Sequence, residues 1–524
     1  MGLKDRIKDA LLGKKTKPMV KRGFQIDVEG RLVEAYDIEK GFSKVEILFD
    51  DENDEYFYKV IEPELSDRDL YILEFIKDTM LKTIHVDIEK AENKVETLWE
   101  IFQKIITDYD INADSRIFYY IRRDFIEYGK ITVLMKDPLL EDISCDGPYI
   151  PVYVYHKNYE HLKTNIVFEE YELDSFVIKL AQKAGKHISV ADPILDAALP
   201  DGSRLQATYG REVTASGSTF TIRKFQEIPF TVLDLIKYNT INPQMAAYYW
   251  LMVENKMNIV FAGGTASGKT TMLNAICLFI PFNVKIVSIE DTREVSLPHP
   301  NWIKSVTREG SGEIVGGRRI GEVDMYDLLR AALRQRPEYI IVGEIRGKEA
   351  VVAFQAMATG HVVYTTMHAD SVSSVIHRLE SEPINIPRIL IQNLHVVSIQ
   401  KMLSLGGKRQ RKVDEIAEII GIDPATKDVL VNTVFKYDES INDFIFSGRS
   451  YLLENIAKVK GVSVEEIFEE MENRARVLQW MMHKGVSYDE FTVIVNKYYK
   501  NKESIMEEVN ALETYSGGDY EDIR

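Results

Sequence analysis

The chain has 524 residues, 45% of them hydrophobic and 28% charged, with a formal net charge of −17. Its length suits two to four domains and its composition is that of a soluble globular protein. The acidic balance argues against nucleic acid as the main partner, because bulk nucleic-acid binding draws on clustered cationic charge. Cys145 and Cys277 are the only cysteines. They cannot build a disulfide framework or a four-cysteine zinc site, and read as small buried side chains in a reducing compartment. No apolar run reaches the ~18 residues of a transmembrane helix. The N-terminus has no signal-peptide core, and Arg6 breaks the myristoylation pattern that Met1-Gly2 begins.

In chain order, residues 1–23 are basic. Leu3, Ile7 and Leu11 recur every fourth residue and share one helix face, so the segment reads equally as a solvated helix or as one that lies on an anionic membrane or an acidic groove. Residues 24–62 read as alternating strands around an acidic turn, and Ser66 to about Arg123 as packed helices. Residues 124–230 read as an α/β unit. It comprises a turn at Ile143–Pro148, strands at Ile150–Tyr155 and Asn165–Phe168, a helix Leu173–Ala184 ended by Gly185, and strands at Ser203–Thr208 and Ser218–Arg223. A boundary falls near residue 230, where Thr231 is placed to cap a helix. From 231 to 445 strands and helices alternate as in a parallel sheet covered on both faces. Residues 446–524 turn helical, and Ile467, Met471, Ala475, Leu478 and Met482 form the core stripe of a C-terminal bundle.

The most informative stretch is Gly263-Gly264-Thr265-Ala266-Ser267-Gly268-Lys269-Thr270-Thr271, a full match to G-x-x-x-x-G-K-[ST]. An apolar run, Met257–Ala262, precedes it, and a helical pattern, Thr271–Ile280, follows. Glycines let several backbone N–H groups converge on one anion; Lys269 adds a point charge, and the Thr270 hydroxyl can ligate Mg²⁺. The predicted ligands are ATP and Mg²⁺.

Three further segments follow. Lys285–Glu294 is a strand ending in Glu290, Asp291 and Glu294, all expected to emerge at the phosphate edge of the sheet. Glu294, furthest out, best reaches a water attacking the γ-phosphate. Glu338–Glu344 is a second buried strand, and Glu344 would act on Mg²⁺ or on the catalytic water. Asp324 caps the helix before it, whose Arg330 and Arg334 share one face. Thr359–Ser371 sets His361 before a strand and His368 after it. Seven strand residues span roughly 23 Å, too far for one zinc ion. His368 fits a γ-phosphate sensor or a link to a neighbouring subunit, and His361 a structural role. Arg204, Arg211 and Arg223, in the preceding domain, suit either phosphate contacts or surface salt bridges.

Together these segments resemble the secretion ATPase superfamily of type II secretion, type IV pili and the archaellum. The phosphate loop 263–271, the acidic box Ile289–Glu294, the Walker B box 338–347 and the histidine box 359–371 stand in family order. Asp201–Gln206, Gly217–Lys224 and Leu333–Glu338 also look like the family, and the wording is closest to its archaeal branch. The resemblance implies an N-terminal α/β domain joined to a RecA-like P-loop domain with a helical tail, assembled as a homo-hexamer. It implies Lys269 and Thr270 on ATP and Mg²⁺, Glu294 as catalytic carboxylate, Glu344 as Walker B acid, and Arg204 and Arg223 as charge-neutralising arginines. The partner it implies is a polytopic membrane platform protein, with the ATPase cytoplasmic and peripheral at the inner face of the membrane. A type II-like secretion ATPase for protein export, a nucleic-acid translocase on the same core and a non-catalytic ATP-binder are the alternatives.

Overall fold

The computed structural model describes residues 30–83, 93–225, 229–308, 310, 314–315, 318–405 and 408–515. The basic segment 1–23, with its expected amphipathic helix, lies outside the described residues. The chain divides into two compact units between residues 226 and 227.

The first unit carries a nine-stranded sheet. Strands β1 (Arg31–Glu39), β2 (Ser43–Asp50) and β3 (Glu55–Ile61) form an antiparallel meander. Its acidic turn holds because the Asp50 carboxylate accepts the Glu52 and Asn53 amides. Helices Asp67–Thr83, Lys94–Asp108 and Ser115–Phe125 then enclose a small core of their own around Ile76, Leu98, Phe102 and Ile117. The sheet is completed by β4 (Leu140–Cys145), β5 (Pro151–His156), β6 (Glu160–Val167), β7 (Ile194–Ala198), β8 (Arg204–Thr208) and β9 (Thr219–Arg223), in the order β1-β2-β3-β6-β5-β4-β9-β8-β7. Helix Glu170–Lys183 covers it through Leu173, Val177 and Leu180, and Gly185 leaves that helix at φ +66°.

Two readings of this unit change. Ile143 to Cys145 belong to β4, which bonds to both β5 and β9, so the chain turns only from Asp146 onward. The Asp-Gly-Pro signal was real, but it marks the end of a strand rather than its absence. Strand β6 also begins five residues before Asn165, at Glu160.

The second unit is ordered around β10 (Ile259–Gly263), β11 (Ile286–Glu290), β12 (Trp302–Val306), a small hairpin β13 (Ile314–Val315) and β14 (Arg318–Arg319), β15 (Tyr339–Val342), β16 (Val362–Met367), β17 (Val396–Leu405), β18 (Lys408–Ile422), β19 (Val429–Asp438) and β20 (Asp443–Phe446). The main sheet runs β12-β11-β15-β16-β10-β17-β18-β19-β20. Strands β12 through β17 in that order are parallel, whereas β17 to β20 are antiparallel. The alternating βα pattern therefore stops at β17 rather than continuing to residue 445.

Strands β10 and β15 are buried on both faces, which is why they read as unbroken apolar runs. Alternate side chains serve opposite cores. Ile259, Phe261, Tyr339, Ile341, Val362 and Tyr364 face one, whereas Val260, Ala262, Ile340, Val342 and Val363 face the other. The C-terminal helices are not a separate bundle. Ile467, Met471, Ala475 and Leu478 of helix Val464–Lys484 are buried in the first of those cores, together with helix Pro243–Glu254, while Met482 is only partly buried. A buried Arg474 pairs with Glu254 and Glu470 and lies over the Trp250 ring. The polar appearance of this tail in sequence reflects its solvent side alone.

Candidate functional site: a phosphate cradle with a histidine between lysine and acid

The phosphate loop leaves the carboxyl end of β10 and enters helix Lys269–Cys277. Gly263 has no room for a side chain: a Cβ there would fall 2.3 Å from the Gln400 carbonyl oxygen and 2.5 Å from Ser267 Oγ. Gly268 sits at φ +91° and Ala266 at φ +58°. For an L-residue such as Ala266 the left-handed region costs on the order of 1–3 kcal/mol, so the surroundings must hold it there. Ser267 Oγ and Lys269 Nζ both donate to the Gly264 carbonyl, at 2.9 and 2.7 Å. Thr265 stands at the exposed crest of the loop, and Thr270 and Thr271 lie in the first turn of the helix.

Lys269 Nζ also stands 3.5 Å from His368 Nδ1. His368 follows β16, which lies between β10 and β15 in the sheet. Its other ring nitrogen, Nε2, is 3.5 Å from Oε1 of Glu344, which follows β15. Arg346 Nη2 donates to Glu344 Oε2 at 2.8 Å. The sheet order thus brings Lys269, His368 and Glu344 into one row. The His368 pKa is lowered first by burial and then by Lys269, while Glu344 works the other way. A cavity of about 460 Å³, lined by Glu344, Arg346, His368, His377 and Arg378 among others, adjoins this row.

The acidic box behaves differently from its reading in sequence. Glu290 does not face a ligand; it is 2% exposed and folds back so that Oε1 accepts the Glu294 and Val295 amides at 2.8 and 2.7 Å. Burial pushes its pKa up to about 7, although the two amides oppose the shift. Its carboxylate shapes the turn that presents Glu294. Asn274, one helical turn beyond Thr270, completes the clamp: Nδ2 donates to the Glu294 carbonyl at 2.9 Å, and Oδ1 accepts the Ser296 amide at 3.1 Å. The phosphate-loop helix is therefore tied directly to the backbone of Glu294. Asp291 is exposed and accepts from the Thr307 hydroxyl at 3.2 Å.

In the first unit, Arg204 and Arg223 are cross-strand partners on β8 and β9. Arg204 pairs with Asp196 through Nη2 at 2.6 Å and Nε at 3.2 Å. Arg223 lies opposite Asp142 on β4 and counters the burial that raises the Asp142 pKa. Arg211 pairs with Glu170. His361 stays within its own turn, with Nδ1 3.3 Å from the Thr359 hydroxyl.

Three residues of the site escape a reading of motifs: Asn274, Arg346 and Arg411. The first two sit inside or beside recognised boxes, where residue type alone does not say which way a side chain turns. Arg411 comes from β18, more than a hundred residues from the loop it touches, and has no local signal. Among the described residues no three His, Cys, Asp or Glu side chains cluster closely enough to hold a metal ion by themselves. Thr270 and Glu344 offer one hydroxyl and one carboxylate, a set that fits Mg²⁺, whose remaining ligands are typically water and phosphate oxygens.

A glycine loop at the carboxyl end of a central parallel strand, with an acid two strands away, defines a P-loop nucleoside triphosphatase with a RecA-like sheet. The sequence profile of the family described as type II/IV secretion system protein matches residues 170–485. The chain belongs to this family of secretion ATPases. It is 44% identical over 392 residues to a protein of Methanocaldococcus jannaschii, covering 74% of this chain and 70% of that one. It is 30% identical over 236 residues to the conjugal transfer protein TrbB of Rhizobium radiobacter, covering 44% and 68%. Among solved structures, it is similar to the ATPase DotB of Legionella pneumophila at 19% identity and a TM-score of 0.39, covering 69% and 93%. Like the family, it is an ATPase.

Proposed function

We propose that this protein is a Mg²⁺-dependent ATPase that works as a homo-hexamer. It drives assembly of an archaellum-like or type IV pilus-like filament, or export of related subunits, through a polytopic membrane platform protein. The reading rests chiefly on one observation, the row Lys269–His368–Glu344 at the phosphate loop. In this scheme backbone amides and Lys269 hold the β- and γ-phosphates, and Thr270 and Glu344 hold Mg²⁺. Bound there, Mg²⁺ would supply positive charge against the transferred phosphoryl. Glu294 orients the attacking water, and His368 reports the γ-phosphate to Glu344. Arg204 and Arg223 are assigned the charge-neutralising role.

No helix among the described residues is long and apolar enough to cross a membrane. We assign contact with the inner face of the membrane to the platform protein and to residues 1–22. The test is phosphate release by the purified protein with ATP and Mg²⁺, with and without DNA, and its mass in solution. Mg²⁺-dependent turnover by a six-subunit species, indifferent to DNA, is expected. Turnover only with DNA would move the reading to a translocase, and no phosphate release to a passive ATP-binder. Deleting residues 1–22 should spare hydrolysis while losing filament function.

A further inference from the structure

Strands β17 and β18 run on past the end of β10. Gly263, the last residue of β10, lies opposite Gln400, whereas β17 continues to Leu405 and Met402 pairs with Arg411 on β18. This register carries Arg411 over the phosphate loop. Its Nε donates to the Ala266 carbonyl at 3.0 Å, and its Cδ lies 3.3 Å from where a Cβ on Gly268 would stand.

Ala266 is the strained residue of the loop. In a trans peptide the carbonyl and the next N–H point in opposite directions. Holding the Ala266 oxygen toward Arg411 therefore aims the Ser267 N–H away from β18. Rotating this peptide would turn a carbonyl dipole toward the phosphates and repel them.

We infer that Arg411 is a positioning residue of the nucleotide site: from β18 it locks the Ala266–Ser267 peptide with its N–H facing the triphosphate. Gly268 leaves the space in which the arginine stem lies, so the two residues act as a pair. The role rests on the ATP reading above and adds to it a contact that lies outside the loop motif. It acts through backbone geometry and not through the charge of the guanidinium alone.

The experiment titrates a fluorescent ATP analogue into the full-length wild type, Arg411→Ala and Arg409→Ala, and measures KM and kcat for ATP in each. Arg409 is two residues away on the same strand and controls for loss of positive charge. Arg411→Ala should bind about tenfold more weakly, the loss of roughly one charge-assisted hydrogen bond. Its KM should rise in step, with kcat at saturating ATP within about threefold of wild type. Millimolar methylguanidinium should restore most of its affinity, and Arg409→Ala should match wild type. Unchanged affinity in Arg411→Ala, an equal loss in Arg409→Ala, or a lower melting temperature without nucleotide that methylguanidinium leaves uncorrected would each overturn the positioning role. Failure of the wild type to bind the analogue would instead sink the ATP reading itself.

Discussion

Nε2 of His368 stands 3.5 Å from Oε1 of Glu344, while the opposite nitrogen of the same ring faces Lys269 at 3.5 Å. One imidazole thus spans the cation that would hold the γ-phosphate and the acid that would complete the metal site. Glu344 works to raise the histidine pKa, and burial with Lys269 lowers it. Replacing Glu344 by Gln removes the raising influence, so the His368 pKa should fall below its wild-type value in an NMR titration. The same variant should keep ATP affinity within about threefold and lose turnover by roughly 10²–10⁴-fold, the usual share of a positioned acid or base. Fast single-turnover hydrolysis by Glu344→Gln would count against its role.

Lys269→Ala removes the ammonium from the loop and from His368. The expected loss in ATP binding is on the order of 3 kcal/mol, over a hundredfold. Equilibrium binding of labelled ATP checks it, and wild-type affinity would refute the site.

Asn274→Ala cuts both bonds between the phosphate-loop helix and the backbone around Glu294. Two partly buried polar groups are left to find other partners, at a cost of about 1–3 kcal/mol in stability. If that clamp aims Glu294, kcat should fall by about tenfold or more with KM little changed. A matched change in KM alone would show that the clamp serves binding only.

Glu290 makes stability depend on pH in a definite sense. Its folded pKa, about 7, lies above the ordinary 4.5. Below pH 4.5 the acid is protonated folded or unfolded and favours neither state. Between 4.5 and 7 the unfolded chain ionises while the buried acid stays protonated, so stability drains away as pH rises through the folded pKa. Glu290→Gln keeps the shape without that ionisation. The free energy of unfolding of wild type relative to the variant should therefore drop by on the order of 3 kcal/mol from pH 4.5 to 7.5. Parallel pH profiles in denaturant melts would remove Glu290 as the cause.

Much of this protein is legible in its residues taken in order, because the relevant rules are local. Gly263 to Thr271 declare a phosphate loop through residue types at fixed spacing, flanked by an apolar run and a helical period. Thr231 and Asp324 cap the helices that follow them, as their residue types predict. The stripe from Ile467 to Leu478 is buried as its period requires. What needed the folded chain depended on pairing between distant segments. The antiparallel run β17 to β20 is set by register with β10, and that register alone delivers Arg411 to Ala266. Glu290 and Glu294 are both acids at a strand end; only packing decides that one is buried against backbone amides. Residue type and spacing are encoded along the chain, whereas burial and side-chain direction are properties of neighbours that meet only when it folds.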